Sequence, residues 1–484
     1  MRLTSRGLLL GLTAILAARL FAMALMPFVD TSEPRYAEIA RLMAASGDWT
    51  TPWFEPGVPF WGKPPLAFWA QALSIRLFGL SEFAVRLPSW LVMLGVLALV
   101  HACGRRLHGE QAARWATLIF ATMLLPFASA GAVLTDPFLA LGMTLSMVSF
   151  LLAPADPRPL WRYGFFVGLA IGLLAKGPLA LVLVAGAAVP WMLWHRNART
   201  YLRALPWAGG TALMLMLALP WYIAAEIKTP GFFQYFIVGE HILRFVDPGW
   251  EGDRYGSAHQ RPYGSIWLDW LLATLPWGAA WLGMTLWPRK HAPLRQRVAT
   301  AMRDPVQTYL LAWALATPAF FTLSGNILWT YVLPALPPVA LATGLLASRW
   351  QSVRPRRLAA AAMLPVPAAA LALGALAWVE PTIYKTEKQL VQQADAMRGN
   401  DPLYFVGSRP FSARYYSRGE AGLVSRQALD GVLPKAGQTI FLAVAKNRAT
   451  EVLAAWPGIV TPVYVSRRYA LLKVDSAAAK GAAP

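Results

Sequence analysis

The sequence has a single cysteine, Cys103, and it lies inside an apolar run, so neither a disulfide framework nor a cysteine metal site is available. Charge is scarce too, at 14% of 484 residues, and acids are the scarcer sign: 24 against 44 lysines and arginines, a net +20. In a soluble chain that excess would point to nucleic acid. No Gly-rich nucleotide-binding unit is visible, nor a repeat at solenoid period, nor a low-complexity tract beyond the Ala-rich final residues. What is abundant is apolar sequence. The chain is 57% hydrophobic with mean hydropathy +0.44. Its apolar runs recur near or above the roughly 18–20 residues that cross a bilayer. This is the composition of a multi-pass membrane protein, and the positive-inside rule accounts for the basic excess without a nucleic-acid partner.

The charges also decide the topology. The first apolar segment, "LLLGLTAILAARLFAMALMPF", lacks an A-x-A type exit and is read as the first span, about 7–28. The stretch at 64–79 is short and carries Arg76, so it is expected to lie at the interface rather than cross. Further spans are expected near 85–103, 113–130, 137–153, 160–175, 178–194, 204–225, 265–287, 306–323, 328–347 and 358–379, about eleven in all. Under this count Arg105 and Arg106, Arg158 and Arg162, Arg196, Arg199 and Arg203, the Arg289–Arg297 group and the Arg349–Arg357 group share the side of Arg2. The N-terminus is then cytoplasmic. The opposite face receives the 30–84 loop, the 226–264 loop and everything after about 380. Two domains are expected, 1–379 in the membrane and 380–484 outside it. The second contains short β-rich runs, "DPLYFVG", "QTIFLAVA", "TPVYVS" and "RYALLKV", separated by polar helical stretches, as in a small α/β domain.

Charged residues that survive on the outer face need a reason. "DTSEPRYAEI" begins at Asp30, where the first span ends. Tyr36, Ile39, Ala40 and Met43 then recur at helical spacing opposite Arg35, Glu38 and Arg41, an amphipathic interfacial helix with Glu38 and Arg41 solvated. Asp30 is either a helix cap or a site acid. Asp136, in "LTDPF", is the lone charge between Trp115 and Pro154 and has the same two readings. Lys63 in "FWGKPPL", Lys176 in "LLAKGPL", and His241 with Arg244 in "GEHILRF" complete the set. Helix-end cations can simply snorkel. The outer face is nevertheless where lysine is disfavoured, and an anionic ligand would explain it. Two acids with several cations at a membrane boundary suit transfer of a group from a lipid phosphate. The cations stabilise the leaving phosphate, and an acid orients or deprotonates the acceptor.

"DTSEPRYAEIARLMAASGDWTTPWF", "KPPLAFW", "EFAVRLPS", "TDP", "AKGPL", "EHILRF" and "WTYVLPALPPVA" together resemble, in order and spacing, the bacterial aminoarabinose transferases of lipid A. More widely they resemble the protein mannosyltransferase superfamily with the GT-C fold. The resemblance covers about the first 345 residues. It implies an inverting glycosyltransferase of the bacterial inner membrane, taking a sugar from a polyprenyl (undecaprenyl) phosphate to an envelope acceptor on the periplasmic face, lipid A or protein. It also implies catalytic roles for Asp30 and Asp136, lipid-phosphate or donor contacts for Arg35, Lys63, Lys176, His241 and Arg244, and a pocket-lining place for Tyr331. One departure bears on metal. The aminoarabinose transferases typically read F-E-K-P where this chain has Gly62, so the implied metal-ligating glutamate is missing. No metal is assigned and no cofactor is required by the sequence. His259, in "SAHQRPYG", is a substitute ligand or an ordinary loop histidine. Two other functions remain to be separated from this one: protein O-mannosylation, and a flippase or transporter of lipid-linked sugar. Clean spans, with Arg19 the main exception, and the lack of a repeat argue against the transporter.

Overall fold

A computed structural model describes residues 4–195, 198–247, 250–256, 259–279, 294–349, 353–429, 438–457 and 459–475. Among them five helices are long and apolar enough to cross a membrane: Ser5–Leu25, Glu82–His108, Trp207–Lys228, Trp329–Ser348 and Ala359–Val379. The other expected spans are shorter or broken. The 113–130 stretch divides at Met123 into Glu110–Thr122 and Leu124–Ser129. Asp136–Leu152, Pro159–Lys176, Leu179–Trp194 and Pro305–Phe321 occupy four more. Of the 265–287 span, Ile266–Ala273 is helical, while 280–293 lies outside the described residues. The 64–79 stretch folds as Leu66–Phe78, 13 residues. At about 1.5 Å per residue it reaches about 20 Å, short of the bilayer's apolar core.

The chain divides into two compact units, Met1–Met23 with Met43–Leu371, and Ala24–Leu42 with Ala372–Pro484. The segment that carries Asp30 and Arg35 falls in the second of these units.

Within the first unit, the antiparallel pair Asp136–Leu152 and Pro159–Lys176 sets the geometry of the site. Glycines let the two backbones touch. A Cβ at Gly142 would lie 2.6 Å from the Gly168 carbonyl, and one at Gly168 would lie 2.4 Å from the Gly142 carbonyl. Small residues at a helix interface permit this approach. The short connection at 153–158 then places the start of the first helix beside the end of the second. A small hairpin, β1 (Trp53–Glu55) and β2 (Val58–Pro59), precedes Lys63.

The second unit contains β3 (Leu403–Val406), β4 (Gly422–Val424), β5 (Thr439–Ala445), β6 (Val460–Val465) and β7 (Tyr469–Asp475), in the order β4-β3-β5-β7-β6. β3 runs parallel to β4 and β5, while β7 is antiparallel to β5 and β6. Successive residues of β5 alternate between two cores. Phe441 and Ala443 join Leu390, Val391 and Ala394 of the helix Lys388–Arg398, whereas Ile440, Leu442 and Val444 pack toward Val452 and Leu453 of Ala449–Ala455. Both faces of the sheet are thus covered, the α/β arrangement expected from the sequence. On the helix Ser32–Ser46, Tyr36, Ile39, Ala40 and Met43 are buried as their spacing predicts. Glu38 corrects the solvated reading. It is buried and receives both Nε and Nη2 of Arg41, at 2.7 and 2.8 Å.

Candidate active site

Asp136 and Lys176 meet at the far ends of the glycine-packed helices. Lys176 Nζ donates to Asp136 Oδ1 at 2.7 Å, and each side chain is only 6% exposed. Asp136 opens its helix and Lys176 closes the next, so each charge also suits the end of the helix dipole on which it stands. Neither alternative raised by the sequence holds: Asp136 is no side-chain cap, and Lys176 does not snorkel. The Lys176 ammonium lies 4.4 Å from the Tyr331 ring centroid, in cation–π range.

The motif around Lys176 explains the approach of His241. Gly177 ends the helix at φ +77°, a conformation that favours glycine, and a Cβ there would strike Phe236 at 2.7 Å and crowd the His241 ring at 3.1 Å. In its absence the imidazole sits against the Lys176 carbonyl, Nε2 at 3.0 Å, while Nδ1 lies 2.7 Å from the Phe236 carbonyl. His241 belongs to the π-helix Gln234–Leu243, a rare element that recurs at functional sites. Burial pushes its pKa below the ordinary value, outweighing the two carbonyl contacts.

The residue before it, Glu240, organises the cations. Its side chain is 4% exposed and binds Lys63 Nζ at 3.1 Å and Arg244 Nη1 at 3.0 Å, while Tyr235 donates its hydroxyl at 3.3 Å. Arg244 also pairs with Asp253 at 3.3 Å. Burial raises the Glu240 pKa, but Lys63 and Arg244 outweigh it and hold the carboxyl below its usual range. Burial likewise lowers that of Arg244, and Glu240, Tyr331 and Asp253 more than restore it. Thus Lys63, Lys176 and Arg244 are balanced by Asp136, Glu240 and Asp253, and the cations expected to await a phosphate already hold carboxylates. Glu240 and Asp253 were not among the residues singled out from sequence. The signal for Glu240 was its place beside His241 in "GEHILRF".

These shifts have a sign. His241 and Glu240 both have folded pKa values below their ordinary 6.5 and 4.5, so as pH falls the unfolded chain takes up each proton first and stability declines. Acid titration in detergent micelles is expected to lower the melting temperature first below about pH 6.5 and again below about pH 4.5. His241→Gln flattens the first limb, and Glu240→Gln the second.

Asp30 and Arg35 stand in the other unit. The Asp30 side chain is 2% exposed and accepts from Ser412 N, Ser412 Oγ and Arg468 Nη2. Arg35 lies over the rings of Tyr36 and Phe411, at 5.2 and 5.6 Å. Ser412 and Arg468 lie beyond residue 400 and carried no sequence signal.

The residues do not fit a metal of the kind the resemblance suggests. Gly62 has no side-chain donor, its carbonyl is taken by Lys63 Nζ, and a Cβ there would lie 2.9 Å from the Phe60 ring. Both His241 nitrogens face carbonyl oxygens. His259 is engaged through its backbone with Asn326 and Ile327. Among the described residues no group of three His, Cys, Asp or Glu side chains is placed to hold a metal.

Residues 8–236 match the family described as dolichyl-phosphate-mannose-protein mannosyltransferase. The undecaprenyl phosphate-alpha-4-amino-4-deoxy-L-arabinose arabinosyl transferase 1 of Pseudomonas fluorescens is 33% identical over 359 residues, covering 72% of this chain and 59% of the relative. The corresponding transferase of Aeromonas salmonicida is 31% identical over 320 residues, covering 65% of this chain and 55% of the relative. These matches take in less than two thirds of the relatives' length. The crystal structure of ArnT from Cupriavidus metallidurans bound to undecaprenyl phosphate superposes with TM-score 0.78 at 20% identity, over 97% of this chain and 98% of that one. Its apo form gives 0.75 at 20% identity, over 98% of both chains. The chain is thus similar in sequence to the aminoarabinose transferases, and it is a multi-pass membrane protein with the GT-C fold of the ArnT structures.

Proposed function

We propose that the chain is an inverting glycosyltransferase of the bacterial inner membrane that moves a sugar from a polyprenyl phosphate to an envelope acceptor such as lipid A. In this reading the N-terminus is cytoplasmic and the C-terminal unit periplasmic, which the placement of the basic loops in the sequence supports. One observation carries the reading: Lys63 and Arg244 converge on the buried carboxylate of Glu240, beside His241 and one residue type removed from a phosphate site. A phosphate oxygen can take the place of that carboxylate, with charge-assisted hydrogen bonds from the same two cations. The named substrates of the relatives, undecaprenyl phosphate and aminoarabinose, support this choice of ligand.

In the reaction the bond between the sugar's anomeric carbon and the phosphate oxygen breaks as the acceptor oxygen attacks from the opposite face. The electron pair leaves with the lipid phosphate, and Lys63 and Arg244 stabilise the charge that develops there. Lys176 and Asp136 hold the neighbouring helix ends, and Tyr331 lines the cation. Asp30 orients the acceptor or the sugar. With a hydroxyl acceptor it takes the proton; with a phosphate acceptor, already ionised, it stabilises positive charge on the sugar.

The test is turnover in lipid vesicles containing the purified chain, with undecaprenyl phosphate-aminoarabinose as donor and lipid A as acceptor, read as undecaprenyl phosphate released. Lys63→Ala is expected to lower turnover by about 100-fold with the fold intact, the loss typical of one electrostatic donor to a transition state. Unchanged turnover removes Lys63 from the mechanism. Absence of acceptor-dependent release in the wild type contradicts the reading for this donor and acceptor.

A further inference from the structure

The Asp30 carboxylate is bound by residues 382 and 438 positions away, all in the same compact unit. Ser412 N donates to Oδ1 at 2.8 Å, and Ser412 Oγ donates to Oδ2 at 2.6 Å. Arg468 Nη2 donates to Oδ2 at 2.5 Å. Each of these donors is itself fixed. Arg468 Nε donates to Glu387 Oε1 at 2.8 Å, and Ser466 Oγ donates to Glu387 Oε2 at 2.9 Å. Glu387 N donates to Ser412 Oγ at 3.0 Å. The backbone on either side is pinned as well: Asp30 N donates to the Lys385 carbonyl at 2.9 Å, and Phe28 N to the Tyr416 hydroxyl at 2.8 Å.

We propose that Arg468 is a positioning residue for Asp30, and that holding this carboxylate is a function of the C-terminal α/β unit. The proposal rests on the reading of Asp30 as the candidate catalytic acid. Two buried carboxylates, Asp30 at 2% and Glu387 at 1% side-chain exposure, share one guanidinium. Burying two like charges is tolerable only with a cation between them. The planar guanidinium fork reaches both at once through Nε and Nη2, which a lysine ammonium on a flexible stem does not reproduce. The β6–β7 turn, which carries Ser466 and Arg468, and the start of the helix Phe411–Tyr416, which carries Ser412, therefore meet at one acid of the first external segment. Reacting groups must be held closely, because a displacement of about 1 Å costs about 100-fold in rate.

The experiment compares wild type, Arg468→Lys, Glu387→Gln and Asp30→Asn in the vesicle assay above, with rates normalised to folded protein by melting and gel filtration. Arg468→Ala strands two buried carboxylates and is not the test variant. The expected result is a kcat lower by about tenfold or more in Arg468→Lys, a smaller loss in Glu387→Gln, and a donor KM within about twofold of wild type in both. Wild-type kcat in Arg468→Lys beside an inactive Asp30→Asn overturns the positioning role and leaves the reading of Asp30 standing. Loss that vanishes on normalisation to folded protein makes the contact purely structural and also overturns it. An active Asp30→Asn overturns the reading of Asp30 and the proposal with it.

Discussion

Lys176→Ala is expected to destabilise the protein by about 3–5 kcal/mol and to abolish turnover. The size follows from burial, because removing one partner of a buried ion pair leaves the other charge uncompensated. Asp136 and Lys176 are each 6% exposed, and the alanine also gives up the contact with the Tyr331 ring. The helices that present the pair are locked by backbone contact at Gly142 and Gly168, so they have little room to relax around the vacated ammonium. Thermal or denaturant unfolding in detergent micelles measures the loss. Pairing it with Asp136→Asn/Lys176→Gln separates stability from chemistry. The double variant carries no stranded charge and is expected to recover most of the folding stability while staying inactive. A Lys176→Ala protein that melts like wild type would contradict the buried pair.

The second large effect is expected at Asp30. Asp30→Asn keeps nearly the same shape and removes the negative charge; an amide oxygen at the Oδ2 position still accepts from Ser412 Oγ and Arg468 Nη2, while the bond from Ser412 N is given up, so rates are normalised to folded protein. If the acceptor is a hydroxyl, the loss of a base is worth about 10²–10⁴-fold in rate. With an ionised acceptor the variant loses instead the electrostatic stabilisation of the sugar, typically about 10²–10³-fold for one group. Solvent isotope effects measured with the vesicle assay distinguish the two roles. Proton transfer to a base slows the wild type in heavy water, and that effect changes in the variant; an electrostatic role lowers the rate equally in both solvents. Turnover within threefold of wild type removes Asp30 from the chemistry.

Much of the fold is legible in the sequence because the bilayer imposes length on it. Long apolar runs and a 13-residue helix too short to cross are local properties, and so is the alternation of β5. The site is less legible because its contacts are long-range. Asp136 and Lys176 are separated by 40 positions, Lys63 and Glu240 by 177, and Asp30 and Arg468 by 438. The sequence singled out Asp136 and Lys176 without pairing them. It singled out His241 and Arg244 without Glu240, the carboxylate just before His241 that joins Lys63 to Arg244. Glu38 was misplaced for a related reason: an acid on the polar side of an amphipathic pattern looks solvated until tertiary packing closes over it and Arg41 folds back. β4 has only three residues and no alternation to detect. Nothing in the pattern of 24–42 announces that it joins a unit formed by residues beyond 371.

The most direct test is mass spectrometry of lipid A and of envelope proteins from cells expressing the wild-type chain or Asp30→Asn at equal levels. The account predicts a pentose-type mass on lipid A with the wild type that is lost with the variant, while envelope proteins are unchanged. A mass lost from proteins instead would move the acceptor to polypeptide. No difference in any fraction would contradict the account and return lipid-linked sugar transport to consideration.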